Sequence, residues 1–181
     1  MNKIQIENII AYAQISKLFD IKLLSEKISD SIYNPSEFDG LSIKYDNEKI
    51  AVIVLGTGKI FCTGAKEITD AIDKIEKVIS QIKKIGFKIK KDYKVKIENI
   101  IVSTYLKKEL NLASLTTKLF PQEIDYQPEI FPGLVYKMDD LQTILIIFNS
   151  GKIVCTGAKS IDDATKSIKK MEEKLTSIGA L

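Results

Sequence analysis

One phrase in this chain occurs twice. GKIFCTGAK, Gly58 to Lys66, returns as GKIVCTGAK, Gly151 to Lys159, 93 residues further on and with only Phe61 exchanged for Val154. The echo runs well beyond the phrase. IENII at Ile6 to Ile10 returns at Ile97 to Ile101, an offset of 91, and from Tyr33 onward matched positions lie 93 apart. YNPSEFDGL (Tyr33 to Leu41) thus meets YQPEIFPGL (Tyr126 to Leu134), and Gly86 meets Gly179. The difference of two is an insertion in the second copy, where SDSI becomes FPQEID. A chain that states one unit twice is expected to fold as two like halves, 1–90 and 91–181. Any surface that one half leaves uncovered is then left uncovered twice.

Each copy reads in the same order. IENII is a strand, and a helix then starts at an N-cap residue, Asp20 or Asn111, with apolar positions at Leu24 and Ile28 or Leu115 and Leu119. A proline bend, NPSE or QPEI, leads to three short strands. These cover Leu41 to Tyr45, Ala51 to Leu55 and Lys59 to Thr63, with counterparts ending at Val135 to Met138, Ile144 to Phe148 and Lys152 to Thr156. GTG and NSG, between the last two strands of each copy, predict hairpin turns. The closing helix is the clearest element, with Ile68, Ile72, Ile75, Ile79, Ile82 and Ile85 at three- and four-residue spacing. Its twin has Ile161, Ile168, Met171, Leu175 and Ile178. Between the copies, GFKIKKDYKVK is a basic linker without helical period. Strands joined by hairpins form an antiparallel sheet, so the expected class is α+β, pseudo-twofold, with helices on one face of the sheet.

The strands carry an anomaly. A sheet with helices on one side and water on the other should alternate apolar with polar residues. AVIVL and ILIIF are apolar on both faces. If Val52 and Val54 face the helices, Ile53 and Leu55 point away, as do Ile146 and Phe148; Phe61, Thr63, Val154 and Thr156 also point away, while Ile60 and Cys62 join the core. In the first strands, Asn8 shares a face with Ile10, and Asn99 with Ile101. The outward face is therefore an apolar floor with an Asn pair, a Thr pair and few charges. Either a second copy or loops bury it, or it is a binding surface.

Composition removes several chemistries. The 181 residues include no histidine, which excludes imidazole bases and Cys/His metal sites, and the two cysteines, Cys62 and Cys155, read as buried apolar residues at matching places. All the basic residues are lysine, for a net charge of +3, so a polyanion partner is permitted but not demanded. A phosphate loop fails on spacing, because Gly58 and Gly64 enclose five residues where that loop has four, and no Lys-Ser/Thr follows. No apolar run approaches the roughly 20 residues of a membrane span, and the start lacks a signal-peptide pattern, so the expected location is the cytoplasm, with no membrane partner.

The paired phrases, YNPSEFDGL with GKIFCTGAK and YQPEIFPGLVYKM with LIIFNSGKIVCTGAK, each behind an IENII strand, closely resemble the core of the TATA-box-binding protein family. These are general transcription factors of archaea and eukaryotes, and the resemblance spans both repeats. It implies a saddle: one curved antiparallel sheet whose concave face sits in the DNA minor groove and whose convex helices meet other factors. Kinking by apolar wedges is the mechanism for which this family is itself the standard example. The implied function is promoter recognition at A·T-rich TATA boxes, without catalysis and without a cofactor. Transcription factor B is the implied direct partner and RNA polymerase an indirect one. The implied location is the archaeal nucleoid, or the nucleus in a eukaryote.

Carried over by position, the wedges would be Phe38 with Leu55 and Phe131 with Phe148, Leu55 standing where the family usually has phenylalanine. Asn8 and Asn99 would donate to the acceptors of central base pairs, with Thr63 and Thr156 beside them. Ile10, Ile53, Phe61, Ile101, Ile146 and Val154 would make apolar contacts. Phosphate contacts would fall to Lys44, Lys59, Lys66, Lys137, Lys152 and Lys159 on the rim. Asp46, Asp139 and Asp140 stand where the family often has basic residues, and Gln127, Glu129 and Ile130 match its loop for transcription factor B. Two further readings remain: a saddle-fold module outside basal transcription, and a homodimer through the apolar face when no DNA is bound.

Overall fold

In the computed structural model, residues 3–45 and 49–181 are described; Asp46 lies outside them. The chain divides into two compact units, residues 8–98 and residues 99–181 with the start of the chain up to Glu7. The first unit contains most of strand β1 (Gln5–Gln14), helix α1 (Ile21–Lys27), β2 (Ser31–Asn34), β3 (Phe38–Tyr45), β4 (Ile50–Leu55), β5 (Lys59–Ala65) and helix α2 (Ile68–Lys84). The second holds most of β6 (Lys96–Tyr105), α3 (Leu112–Thr116), a 3₁₀ turn at Pro121–Glu123, β7 (Ile124–Asp125), β8 (Leu134–Met138), β9 (Thr143–Ile147), β10 (Lys152–Ala158) and α4 (Ile161–Ser177). Strand order is β2-β3-β4-β5-β1 in the first and β6-β10-β9-β8-β7 in the second, each neighbouring pair antiparallel. The α+β class and the two-repeat plan are as the sequence predicts.

Local chemistry explains the helix ends. Asp20 Oδ1 accepts from Leu23 N–H and Asn111 Oδ1 from Ser114 N–H, each at 3.0 Å, so the two expected caps do cap. Ser160 Oγ accepts from Asp163 N–H (3.0 Å) and donates to the Asp163 carboxylate (2.6 Å), a reciprocal cap that α2 lacks. Helix α2 buries Ala71, Ile75, Val78, Ile79 and Ile82; Ile68, Ile72 and Ile85 fall at the margin of the stripe. In α4, Ile168, Met171 and Leu175 are buried while Ile161 is exposed. A fully buried Ile contributes roughly 2–3 kcal/mol, so packing on the sheet holds these helices more than propensity does.

The linker is not loose. Phe87 packs edge-on against Phe19 with centroids 5.6 Å apart, and Lys90 N–H donates to Ile15 O at 2.8 Å. Strands β2 and β7 were not expected from the sequence, being four and two residues long with no readable alternation. Cys62 and Cys155 are fully buried, and burial pushes both thiols up to about 11.

The two-residue insertion has a structural use. It forms the turn carrying Glu123, whose Oε2 accepts from Lys174 Nζ and from Tyr136 Oη, both at 2.7 Å. Lys174 also bonds Tyr136 Oη and lies over the rings of Phe120 and Tyr136. The matched positions in the first unit are Ile43 and Gln81, and Gln81 Oε1 is buried without a hydrogen bond, so the clamp belongs to the second unit. The hydrogen bond from Lys174, followed by that from Tyr136, holds the Glu123 carboxyl below its ordinary range. A depressed carboxyl stabilises the fold above its unfolded pKa, and that contribution is lost as pH falls through the folded value. Lys174→Met should therefore cost about 1 kcal/mol at neutral pH, a fall of about 2–4 °C in Tm. In thermal melts the deficit against wild type should shrink as the pH is lowered through the carboxylate range.

Candidate nucleic-acid interface

The outward faces are built in register. In the first unit Lys44 pairs with Ala51 and Ala51 with Thr63, whose hydroxyl accepts from Asn8 Nδ2 at 3.1 Å. In the second unit Lys137 pairs with Ile144 and Ile144 with Thr156, whose hydroxyl accepts from Asn99 Nδ2 at 3.0 Å. The next row runs Ser42, Ile53, Phe61, Tyr12 in the first and Val135, Ile146, Val154, Ser103 in the second. Alternation is strict: Val52, Val54, Ile60 and Cys62 are fully buried on the helix side, while Ile53, Leu55, Phe61 and Thr63 stay half-buried. The second unit repeats this, with Ile144 39% exposed on the open side. These half-buried rows thus alternate with the fully buried helix-side positions and face outward.

A bulge orients each asparagine. Between Ile9 and Ala11 of β1, the partner strand advances three residues, Ala65 to Cys62, and the same slip occurs between Cys155 and Ala158. The extra residue is accommodated at Gly64 and Gly157, whose φ values of +92° and +90° are costly for any side chain. Each glycine N–H is thereby released from the ladder and donates to the asparagine Oδ1, at 2.7 Å in both units. This fixes which end of the amide is oxygen. Nδ2 then uses one hydrogen on the threonine and keeps the second for an outside acceptor. The glycines of the twice-stated phrase therefore differ in use, because Gly58 and Gly151 close the hairpins, donating to Leu55 O and Phe148 O at 2.9 Å.

Phe38, Leu55, Phe131 and Phe148, the four side chains expected as wedges, come together in pairs. Phe131 and Phe148 meet edge-to-face with centroids 6.0 Å apart. A Cβ on Gly133 would fall 2.7 Å from Phe131 Cε1 and 3.2 Å from Phe148 Cε1, so the glycine is the bed on which both rings rest. Gly40 does the same, with Phe38 Cζ at 2.9 Å and Leu55 Cδ2 at 3.0 Å from that position. Phe38 is 48% and Phe131 40% exposed, a large apolar exposure at matched places.

Lysines surround this floor in two ways. Lys44, Lys66, Lys137 and Lys159 are exposed. Lys59 and Lys152 are half-buried against aromatic rings, Lys59 Nζ lying 4.5 Å from the centroids of both Tyr12 and Phe61, and Lys152 Nζ 5.7 Å from that of Tyr105. Asp140 is drawn to Lys170 of α4, and the hydrogen bond from that lysine holds its carboxyl low. Gln127 O accepts from both Ile130 and Phe131 N–H at 2.9 Å, so the QPEI turn that exposes Ile130 also fixes the backbone at Phe131. Tyr12, Ser103, Tyr105, Ala51 and Ile144 share the outward face but do not follow from IENII and the hairpin strands alone. Continuing the alternation of Asn8 and Ile10 along β1 would have reached Tyr12.

A family profile described as transcription factor TFIID, or TATA-binding protein, matches this chain twice, over residues 3–85 and 94–178. The chain belongs to the TATA-box-binding protein family. The TATA-box-binding protein of Archaeoglobus fulgidus is 38% identical over 179 residues, covering 99% of this chain and 98% of that one. That of Methanothermobacter thermautotrophicus is 38% identical over 175 residues, covering 97% and 96%. Among solved structures, the Methanococcus jannaschii TBP superposes with a TM-score of 0.84 at 33% identity, over 97% of this chain and 99% of that one. The family's two-repeat architecture thus extends over nearly all of this chain. Among the described residues, no helix is long and apolar enough to cross a membrane.

Proposed function

We propose that this chain is a general transcription initiation factor that binds the minor groove of A·T-rich TATA-box promoter DNA, kinks it with apolar wedges and recruits transcription factor B, and through it RNA polymerase. The observation that carries this is the repeated outward constellation: two wedge pairs on glycine beds and two oriented Asn–Thr pairs on an otherwise apolar floor. In the minor groove A·T pairs offer only acceptors, whereas G·C adds the guanine amino group. An apolar floor with a few amide donors accepts the first and leaves the second unpaired. Wedges favour steps that unstack easily, such as TA, so sequence preference comes largely from deformability.

In this reading each repeat, 1–90 and 91–181, forms one half of a saddle, and Gln127, Glu129 and Ile130 form part of the docking surface for transcription factor B. The 80% exposure of Ile130 in an otherwise polar turn supports that role. On this reading the protein is not an enzyme and works on promoter DNA, at the nucleoid in an archaeal cell or in the nucleus of a eukaryotic one.

A binding titration at fixed salt should favour a TATA-containing duplex over a G·C-substituted one by at least about 1000-fold. If all six rim lysines meet phosphates, log Kd should change with log salt at a slope of about 5. Equal affinity for the two duplexes would sink the reading in favour of a binding module outside basal transcription. Concentration-dependent dimerisation relieved by DNA would show that the same face closes on a second copy when DNA is absent.

A further inference from the structure

Building on the minor-groove reading, we infer that Tyr12, Phe61 and Lys59 form a specificity-determining slab that fixes the direction in which the protein lies on its DNA. Tyr12 and Phe61 are register partners on the outward face, with ring centroids 6.1 Å apart and planes tilted by 35°. Lys59 Nζ sits 4.5 Å from both centroids, so a single cation holds the two rings together. The matched positions in the second unit are Ser103, Val154 and Lys152. There the Ser103 hydroxyl is consumed internally, donating to the Glu7 carboxylate at 2.5 Å, and Val154 has no ring. Tyr12 is half-buried on the outward row, beside Phe61.

Aromatic mass is therefore distributed unequally in the two units. At the Gly-seated positions the second unit has two rings, Phe131 and Phe148, and the first has Phe38 beside Leu55; in the row of Phe61 the first has two rings where the second has Ser103 and Val154, and Tyr105 of the second unit stands one row away, paired with Lys152. A·T and T·A pairs present the same acceptors in the minor groove, so base edges alone give a two-repeat protein no direction on an A·T-rich element. Direction has to come from unequal side chains meeting unequal deformability. The two-ring wedge of the second unit takes the end with the softer pyrimidine–purine step. The Tyr12–Phe61 slab takes the stretch of continuous A·T pairs, where the tyrosine hydroxyl donates to an adenine N3 or thymine O2.

The test is directed cleavage. An iron chelate is attached at Asp139→Cys, the native thiols being buried and resistant to labelling, and cleavage is compared at the two ends of a duplex with one TA-rich end and one A-tract end. The labelled protein should cleave one end about three- to tenfold more than the other. Tyr12→Ser with Phe61→Val, which gives the first unit the residues of the second, should bring the ratio close to parity. Tyr12→Ser alone should lower it, and keeps the question open to refutation if the double variant does not fold. An unchanged ratio in either folded, DNA-bound variant overturns the inference while leaving the minor-groove reading in place. Failure of the parent protein to prefer the TATA duplex over the G·C one takes down both.

Discussion

Phe131→Ala combined with Phe148→Ala should weaken binding to an A·T-rich duplex by about 30- to 1000-fold and remove most of the bend at that end, with the fold intact. A stacked aromatic contributes about 1–3 kcal/mol per base, and two lost together at about 1–2 kcal/mol each correspond to that range. The fold should tolerate the change because these rings lie on the open side of the sheet, with Phe131 40% exposed and both seated on Gly133 instead of in the core. Thermal melting is expected to stay within a few degrees of wild type. Bend is read by energy transfer between dyes at the duplex ends, and affinity by titration at one salt concentration. The pair Phe38→Ala with Leu55→Ala should cost less, since only one ring is lost. A double variant at 131 and 148 that bends DNA as wild type does would show that these side chains are not the wedges.

Much of this site is legible in the sequence because strand alternation has a period of two. Once Val52 and Val54 are assigned to the core, the sides of Ile53, Leu55, Phe61 and Thr63 follow, and all fall where expected. The caps at Asp20 and Asn111 were legible for a similar reason, as their short acceptors precede apolar-periodic runs. Family resemblance supplied what alternation cannot, the pairing of Phe38 with Leu55 and of Phe131 with Phe148 across a loop.

Other features depend on geometry that no local pattern encodes. Gly64 and Gly157 sit inside strands, as bulges that aim an N–H at an asparagine. Lys59 reads as a rim charge but lies against two rings, because its neighbours across β1 and along β5 are both aromatic. The Glu123–Tyr136–Lys174 cluster joins residues far apart in sequence and exists only where the insertion delivers the carboxylate. These differences between the halves are invisible to a repeat alignment that scores likeness. They are where two similar units acquire different work.

Asn99→Asp should be more damaging than Asn99→Ala, although it is the smaller change in shape. The Gly157 N–H at 2.7 Å will still find an oxygen, and the Thr156 hydroxyl can turn to donate where it now accepts, so the strand geometry survives. What disappears is the free Nδ2 hydrogen, replaced by a charged oxygen that, on the proposed minor-groove reading, is directed at base acceptors and flanked by phosphates. Loss of one hydrogen bond to a base costs about 1–1.5 kcal/mol, or about tenfold; alanine removes that bond together with the internal ones to the Gly157 N–H and the Thr156 hydroxyl, but introduces no charge. The carboxylate adds desolvation and repulsion, for a loss of about 100-fold or more at low salt. Two trends should separate the terms. Raising salt screens the repulsion and narrows the gap between Asp and Ala, as measured by the ratio of their dissociation constants. Lowering pH into the carboxylate range protonates the side chain, which can again donate, so the aspartate variant should recover while the alanine variant does not. An aspartate variant that binds the TATA duplex as tightly as wild type, at low salt and neutral pH, would mean that this amide does not face the bases.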